Sequence, residues 1–267
     1  MPFTPTHMAA AIPIAWLCRW RVSFTALAIG TMVPDFPNFF PMLLDYTVTH
    51  SRVGLFTHCL PISMLSYYVF HGVLKQPLAA LLPVSMSKRL EPWLERGIDF
   101  SVSAVLLVAL LVTLGAATHI VWDSFTHLGR WGVVRFPVLR NVAIDVEPRP
   151  IRWYALLQHG SSVVLLPMML WGFLRWIGSL PKVETRRIRY RLPAIVTFFA
   201  LWLITVGMLA HWQWVMWEHE NWLWIDALRY SIKRSGACVM TITFVYCIAM
   251  HVRWWRDDRL GKHSVRV

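Results

Sequence analysis

The sequence predicts an all-α, polytopic helical membrane protein, and three observations carry that prediction. Hydrophobic residues make up 57% of the 267-residue chain and charged residues only 15%, and the mean hydropathy of +0.49 is higher than a soluble domain of this size shows. Sixteen tryptophans and seven tyrosines supply the amphipathic rings that gather at membrane–water interfaces. Five stretches, roughly 53 to 73, 101 to 122, 158 to 177, 193 to 216 and 235 to 252, approach the length of about 20 apolar residues that a helix needs to cross a bilayer.

Ahead of these spans, residues 8 to 18 and 24 to 33 are apolar but too short to cross alone, and Pro34, Pro37 and Pro41 break the chain just after them. The two segments read as short helices packed at an interface or re-entrant. The opening MPFTPTHMAAAIPIAWLCRW lacks the basic n-region of a signal peptide and is expected to be retained. On this reading residues 1–252 form one membrane-embedded helical domain and 253–267 a basic C-terminal tail. The four cysteines, Cys18, Cys59, Cys238 and Cys247, have no CxxC spacing and are expected to be small buried apolar residues.

The net charge of +12 arises from basic residues beside the apolar spans rather than along a soluble stripe, which points to anionic lipid headgroups and away from nucleic acid. Lys and Arg in short loops mark the cytoplasmic side. RWIGSLPKVETRRIRYR, residues 175–191, and the C-terminal tail are both strongly basic, so both are expected there. Between them HWQWVMWEHENWLWID, with Glu218, Glu220 and Asp226, suits an outer interfacial belt. The basic stretch from Arg130 to Arg152 then falls outside, against the rule.

The chemistry concentrates in THIVWDSFTHLGRWG, residues 118–132. Residues at i, i+4 and i+8 of an α-helix turn by only about 40° per step, so His119, Asp123 and His127 share one face over roughly two turns. A single intramembrane histidine is commonly a packing residue bonded to a carbonyl, but three ligand-type residues in register at membrane depth mark function. Imidazole and carboxylate without thiolate suit Zn²⁺, with Mn²⁺ and Fe²⁺ as alternatives. His7, Asp35, His50 and His159 stand at comparable junctions, each at the start or end of an apolar segment. Asp35 has an equal claim as a turn residue or N-cap, and His7 as an exposed terminal residue. His58 is expected to pack between helices, and His71, His211, His219, His251 and His263 are expected to be non-ligands.

MPFTPTHMAAAIPI, GTMVPDFPNFF, THSRVGLFTHCLP, GAATHIVWDSFTH and LLQHGSS occur in order, and together they resemble the bacterial membrane family known as domain of unknown function number 4184, over roughly the first 175 residues. Their pattern is similar to that of membrane-bound metal-dependent hydrolases, which pair an early histidine, a Pro-Asp turn and a helix bearing H-x-x-x-D. More distantly it is similar to zinc-dependent phospholipases C. The resemblance implies that His7, Asp35, His50, His119, Asp123, His127 and His159 are ligands of two or three metals, with Asp35 or Asp123 bridging, in a bacterial inner membrane. His159 is followed at i+4 by Val163, where the phospholipases carry a glutamate, which favours one or two metals over three.

The expected function is hydrolysis of a phosphoester or other bond of an amphiphilic substrate, such as a phospholipid or lipid-linked phosphate, by metal-activated water. Asp35 and Asp123 would act at the metal, and Arg52 and Arg130 would hold an anionic group or else snorkel to headgroups. The rival expectations are a transporter or metal-handling protein, whose ligands would spread through the membrane depth, and a closed structural metal site.

Overall fold

The computed structural model describes residues 4–147, 150–183, 191–218 and 224–259. The architecture is all-α, and among the described residues four helices are long and apolar enough to cross a membrane: Arg52–Ala80, Val102–Thr126, Trp153–Ser179 and Tyr230–Arg259. The other expected span, 193 to 216, lies in a 27-residue helix, Arg191–Trp217, whose apolar part among the described residues is Phe199–Val215. The last helix begins at Trp224 and runs to Arg259, so the first part of the basic tail is helical. Residues 260–267, most of the basic run 184–190, and part of the acidic belt with Glu220 lie outside the described residues.

Two compact units form. The first comprises residues 1–37, 41–67 and 99–176, and the second 38–40, 68–98 and 177–267. In the second, helices Arg191–Trp217 and Trp224–Arg259 pack along each other, and the buried Lys75 donates to the Arg96 carbonyl at 2.5 Å.

The first unit opens with a 3-10 helix, Thr4–Ala10, continuous with α1, Ala11–Leu17. A tight reversal at Arg19 and Trp20, both with positive φ, leads to α2, Phe24–Met32, whose N-cap Ser23 accepts from the Ala26 N–H at 3.2 Å. Cys18 lies in that reversal and is exposed, correcting its expected burial, whereas Cys59 and Cys247 are buried. A short 3-10 turn, Val33–Asp35, leads into α3, Phe36–Phe39, and α4 spans Tyr46–Thr49 behind the N-cap Asp45.

The spanning helix α5, Arg52–Ala80, contains two π-turns, Leu55–Cys59 and Phe70–Leu74. Each comes shortly before a proline, Pro61 and Pro77; the wider turn relieves the clash of the ring with the carbonyl four residues back. Helix α6, Val84–Leu94, comes next. The axis of the first unit is α7, Val102–Thr126, capped by Ser101. It ends at His127, which is extended, two residues before Gly129 with φ +80°. A short helix α8, Trp131–Arg135, and a two-stranded antiparallel hairpin, Val142–Ile144 with Ile151–Arg152, fill the basic stretch, and α9 is Trp153–Ser179.

The segment expected at an interface, α2, is packed along α7, and six consecutive residues, Ala26 to Thr31, are buried. Small residues bring the backbones together, as in tightly packed membrane helices. A Cβ on Gly115 would meet the Leu27 carbonyl oxygen at 2.2 Å, and one on Gly30 the Val112 carbonyl oxygen at 2.1 Å. Ala11, Ala15, Ala26, Leu27, Val108, Leu111 and Val112 form the core at this crossing.

Candidate metal centre

The packing of α2 on α7 fixes His119. Its Nδ1 lies 2.7 Å from the Thr31 carbonyl at the end of α2. A carbonyl only accepts, so Nδ1 carries the proton and Nε2 of the neutral ring presents its lone pair. The same arrangement holds His50, the C-cap of α4, whose Nδ1 is 3.0 Å from the Tyr46 carbonyl. Thr49 donates to the Pro34 carbonyl at 2.8 Å, tying α4 to the turn that carries Asp35.

These supports turn two lone pairs toward each other and toward two carboxylates. His50 Nε2 and His119 Nε2 are 3.3 Å apart. Asp123 Oδ2 is 3.4 Å from the first and 3.5 Å from the second, and Asp35 Oδ1 is 4.0 and 3.7 Å from them. All four residues are buried, with His119 and Asp35 at 0% exposure. The four ligand atoms lie within 4.8 Å of one another, a grouping that could hold a metal ion. Without a cation or proton between them, two acceptor nitrogens and two acids would face one another in a dry interior, which is costly.

Around this group lies a ring of orienting contacts. Asp35 Oδ2 accepts from the Thr4 hydroxyl at 2.8 Å, and burial raises the Asp35 pKa. The half-buried Tyr46 donates its hydroxyl to Asp123 Oδ2 at 3.4 Å and stacks near His50 at 3.9 Å between centroids. The Arg130 guanidinium lies over the Tyr46 ring at 5.7 Å. His7 stacks on His119, with centroids 3.7 Å apart and 21° between planes. Its Nε2 is 3.6 Å from Asp123 Oδ1, and His127 Nδ1 is 3.5 Å from the same oxygen. Burial lowers the pKa of His7 to about 2 and that of His127 to about 4, so both rings are neutral at pH 7.

Of the seven residues expected as ligands, the structure brings Asp35, His50, His119 and Asp123 into one cluster and sets His7 and His127 against the outer oxygen of Asp123. It does not bring His159 into the cluster: that side chain is exposed on α9, whereas its neighbour Gln158 is buried with its amide nitrogen 3.3 Å from His127 Nε2. Arg52, expected near the substrate, is exposed at the start of α5. His58 lies beside the Thr57 hydroxyl at 2.8 Å. His219 and His263 lie outside the described residues.

Sequence reasoning missed Thr4, Tyr46 and Gln158. Tyr46 carried a usable signal, since it precedes His50 by four residues on one helical turn. Replacing Tyr46 by phenylalanine should weaken divalent metal binding by about 10-fold, within the range for outer-shell ligand supports. Metal titration of the purified variant checks this, and unchanged affinity would show that the phenol does not act on Asp123.

Fold and cluster together describe an all-α membrane protein with a buried His/Asp centre at one end of a spanning helix. The chain belongs to the family described as Domain of unknown function (DUF4184), which matches residues 1–254, beyond the reach of the five motifs. No curated protein and no solved structure matches it.

Proposed function

We propose that this protein is a membrane-bound metal-dependent hydrolase acting on an amphiphilic substrate. The observation that carries the proposal is the convergence of two imidazole lone pairs and two carboxylates in a buried cluster whose other ring nitrogens are already occupied by carbonyls. Donors about 2.0–2.1 Å from a tetrahedral centre lie about 3.3–3.4 Å apart; the His–His and His–Asp separations here run from 3.3 to 4.0 Å. Nitrogen and oxygen donors at that spacing suit Zn²⁺, with Mn²⁺ or Fe²⁺ as alternatives.

Such a cation, when bound, acidifies water and polarises the oxygen of a scissile phosphoryl or acyl group. The chain's residues do the rest. Asp35 and Asp123 balance the charge, and Thr4 and Tyr46 hold those carboxylates in place. Arg130, steadied over Tyr46, is the cation best sited to hold an anionic headgroup, a role for which its planar fork is suited; Arg52 is exposed and suited to lipid headgroups at the surface. An apolar cavity of about 630 Å³, lined by Leu114, Val121, Trp122, Phe125, Thr126 and Leu157, runs along α7. It reaches Thr126, whose hydroxyl is 3.1 Å from His127 Nδ1, so an acyl chain in it would bring a headgroup toward the site. The setting is a bacterial inner membrane with the basic C-terminal tail in the cytoplasm.

Detergent-purified protein loaded with zinc or manganese, assayed on phospholipids and lipid-linked phosphates, is expected to release a water-soluble headgroup, and Asp35→Asn to abolish that release. Absence of cleavage across phosphoester and acyl lipids by folded, metal-loaded protein would overturn the hydrolase reading.

A further inference from the structure

Between the end of α7 at Thr126 and the start of α9 at Trp153 the chain stays at one bilayer face, because both helices are long and apolar enough to span. That face carries Asp123, less than one turn from the end of α7. The connecting stretch is mostly uncovered. Its short helix α8 buries only Gly132 and Val133, and a Cβ on Gly132 would meet the Ser124 carbonyl oxygen at 2.7 Å, so this side is pressed against the end of α7. The other side presents Trp131 at 64% exposure, and Val134, Phe136, Val138, Val142 and Ile144 follow, all exposed. A run of exposed apolar side chains of this kind marks a surface that something covers. The hairpin gives a second indication: Val142 and Ile144, two apart on one strand, share a face, and Ile144 pairs with Ile151. Strands of three and two residues are too short for a hairpin to persist unaided in water.

Arginines are spaced through the same stretch. Arg130 lies over the Tyr46 ring at 5.7 Å and Arg135 over Phe136 at 6.0 Å. Arg152 donates to the Arg140 carbonyl at 2.7 Å, and Arg140 to the Val134 carbonyl at 3.4 Å. A guanidinium has five N–H donors, so each of these keeps donors to spare. The acids among the described residues here are Asp145 and Glu147, both exposed beyond the first strand.

We propose that residues Leu128 to Glu147, with the paired strand Ile151–Arg152, lie in the plane of the membrane as an interfacial platform. The apolar side chains enter the headgroup–acyl boundary, the arginines meet lipid phosphates, and the turn with Asp145 and Glu147 faces water. Lipid is the occupant because spanning helices hold the stretch at the bilayer edge from both ends, and because apolar stems with guanidinium forks match that boundary. A second copy is a poorer cover: a two-fold contact sets the same patch against itself, arginine against arginine. Lipid phosphates also give the basic stretch from Arg130 to Arg152 a local reason to stand at the end of α9 opposite the basic run after Ser179. Through Arg130 and Tyr46, whose hydroxyl bonds Asp123, the platform sets the His/Asp cluster close to the phosphate level. The proposal does not depend on a metal in that cluster.

The test is nitroxide depth measurement on the full chain in vesicles of phosphatidylethanolamine and phosphatidylglycerol. Cys18→Ser and Cys238→Ser clear the accessible thiols, and Cys59 and Cys247 are buried. Labels on Val134→Cys, Val138→Cys and Ile144→Cys, all exposed positions, leave the packed side of the stretch intact. Each is expected to collide with dissolved oxygen, which concentrates in lipid, more than with a water-soluble nickel chelate, at a depth of about 5–10 Å, the range for interfacial amphipathic elements. A label on Glu147→Cys should favour the nickel chelate. Preference for the chelate at all three apolar positions would put the stretch in water and overturn the proposal. Shielding from both reagents, with label–label broadening that vanishes on dilution with unlabelled protein, would show a second copy as the cover and overturn it equally. Either result leaves the hydrolase reading to its own assay.

Discussion

Asp123→Asn is expected to abolish tight divalent metal binding, with apparent affinity falling by more than about 100-fold, the upper figure for changes in merely supporting residues. The size of the effect comes from position. Asp123 Oδ2 touches both His50 and His119, and Oδ1 touches His7 and His127, so one substitution removes negative charge from every histidine in the centre. The amide is nearly isosteric and α7 is packed against α2, so the variant should remain folded. Calorimetric titration with Zn²⁺, beside thermal unfolding in detergent, separates the two effects. Retained affinity would show that Asp35 and the histidines suffice without the carboxylate on α7.

Gly115→Ala is expected to cost about 3 kcal/mol of stability, the upper part of the usual range for overpacking. The added Cβ would sit 2.2 Å from the Leu27 carbonyl oxygen, 3.0 Å from the Thr31 nitrogen and 3.1 Å from the Gly30 Cα. These are backbone atoms with no rotamer to change, so α2 must move away from α7. That movement pulls the Thr31 carbonyl from His119 Nδ1 and should weaken metal binding together with stability. Gly172→Ala is the control: a Cβ there meets nothing within 4 Å on a helix, and helix propensity makes the change neutral to stabilising by up to about 1 kcal/mol. Thermal unfolding of both variants with and without Zn²⁺ checks the pair. Equal midpoints would show that the close approach of α2 to α7 is not maintained.

The spanning helices were legible because hydropathy over a long window is a local property. His119, Asp123 and His127 were legible because a single helix sets their spacing. Asp35, His50 and His7 were visible only as polar residues at the ends of apolar segments; what joins them is the crossing of α2 on α7 at Gly30 and Gly115, a tertiary event without local periodicity. The same crossing explains why α2 read as interfacial: an apolar helix of nine residues is too short to span, and its sequence does not tell lipid from a helix neighbour.

Other misreadings have equally specific causes. On α9 one residue of helical phase, about 100°, separates exposed His159 from buried Gln158, and residue type pointed to the histidine. Thr4 and Tyr46 are not ligand types, and their role depends on Asp35 turning its second oxygen to Thr4 and on Asp123 Oδ2 lying against the Tyr46 hydroxyl. The small hairpin in the stretch from Arg130 to Arg152 was masked by its charge and by strands of only three and two residues.

The central claim is that the His/Asp cluster is a metal centre, and elemental analysis of protein purified in detergent without chelator tests it most directly. The expected result is near-stoichiometric or greater zinc or manganese in the wild type, falling sharply in His119→Ala and in Asp35→Asn. Folded wild-type protein carrying no metal above background, and taking up none on addition of Zn²⁺ or Mn²⁺, would contradict the account.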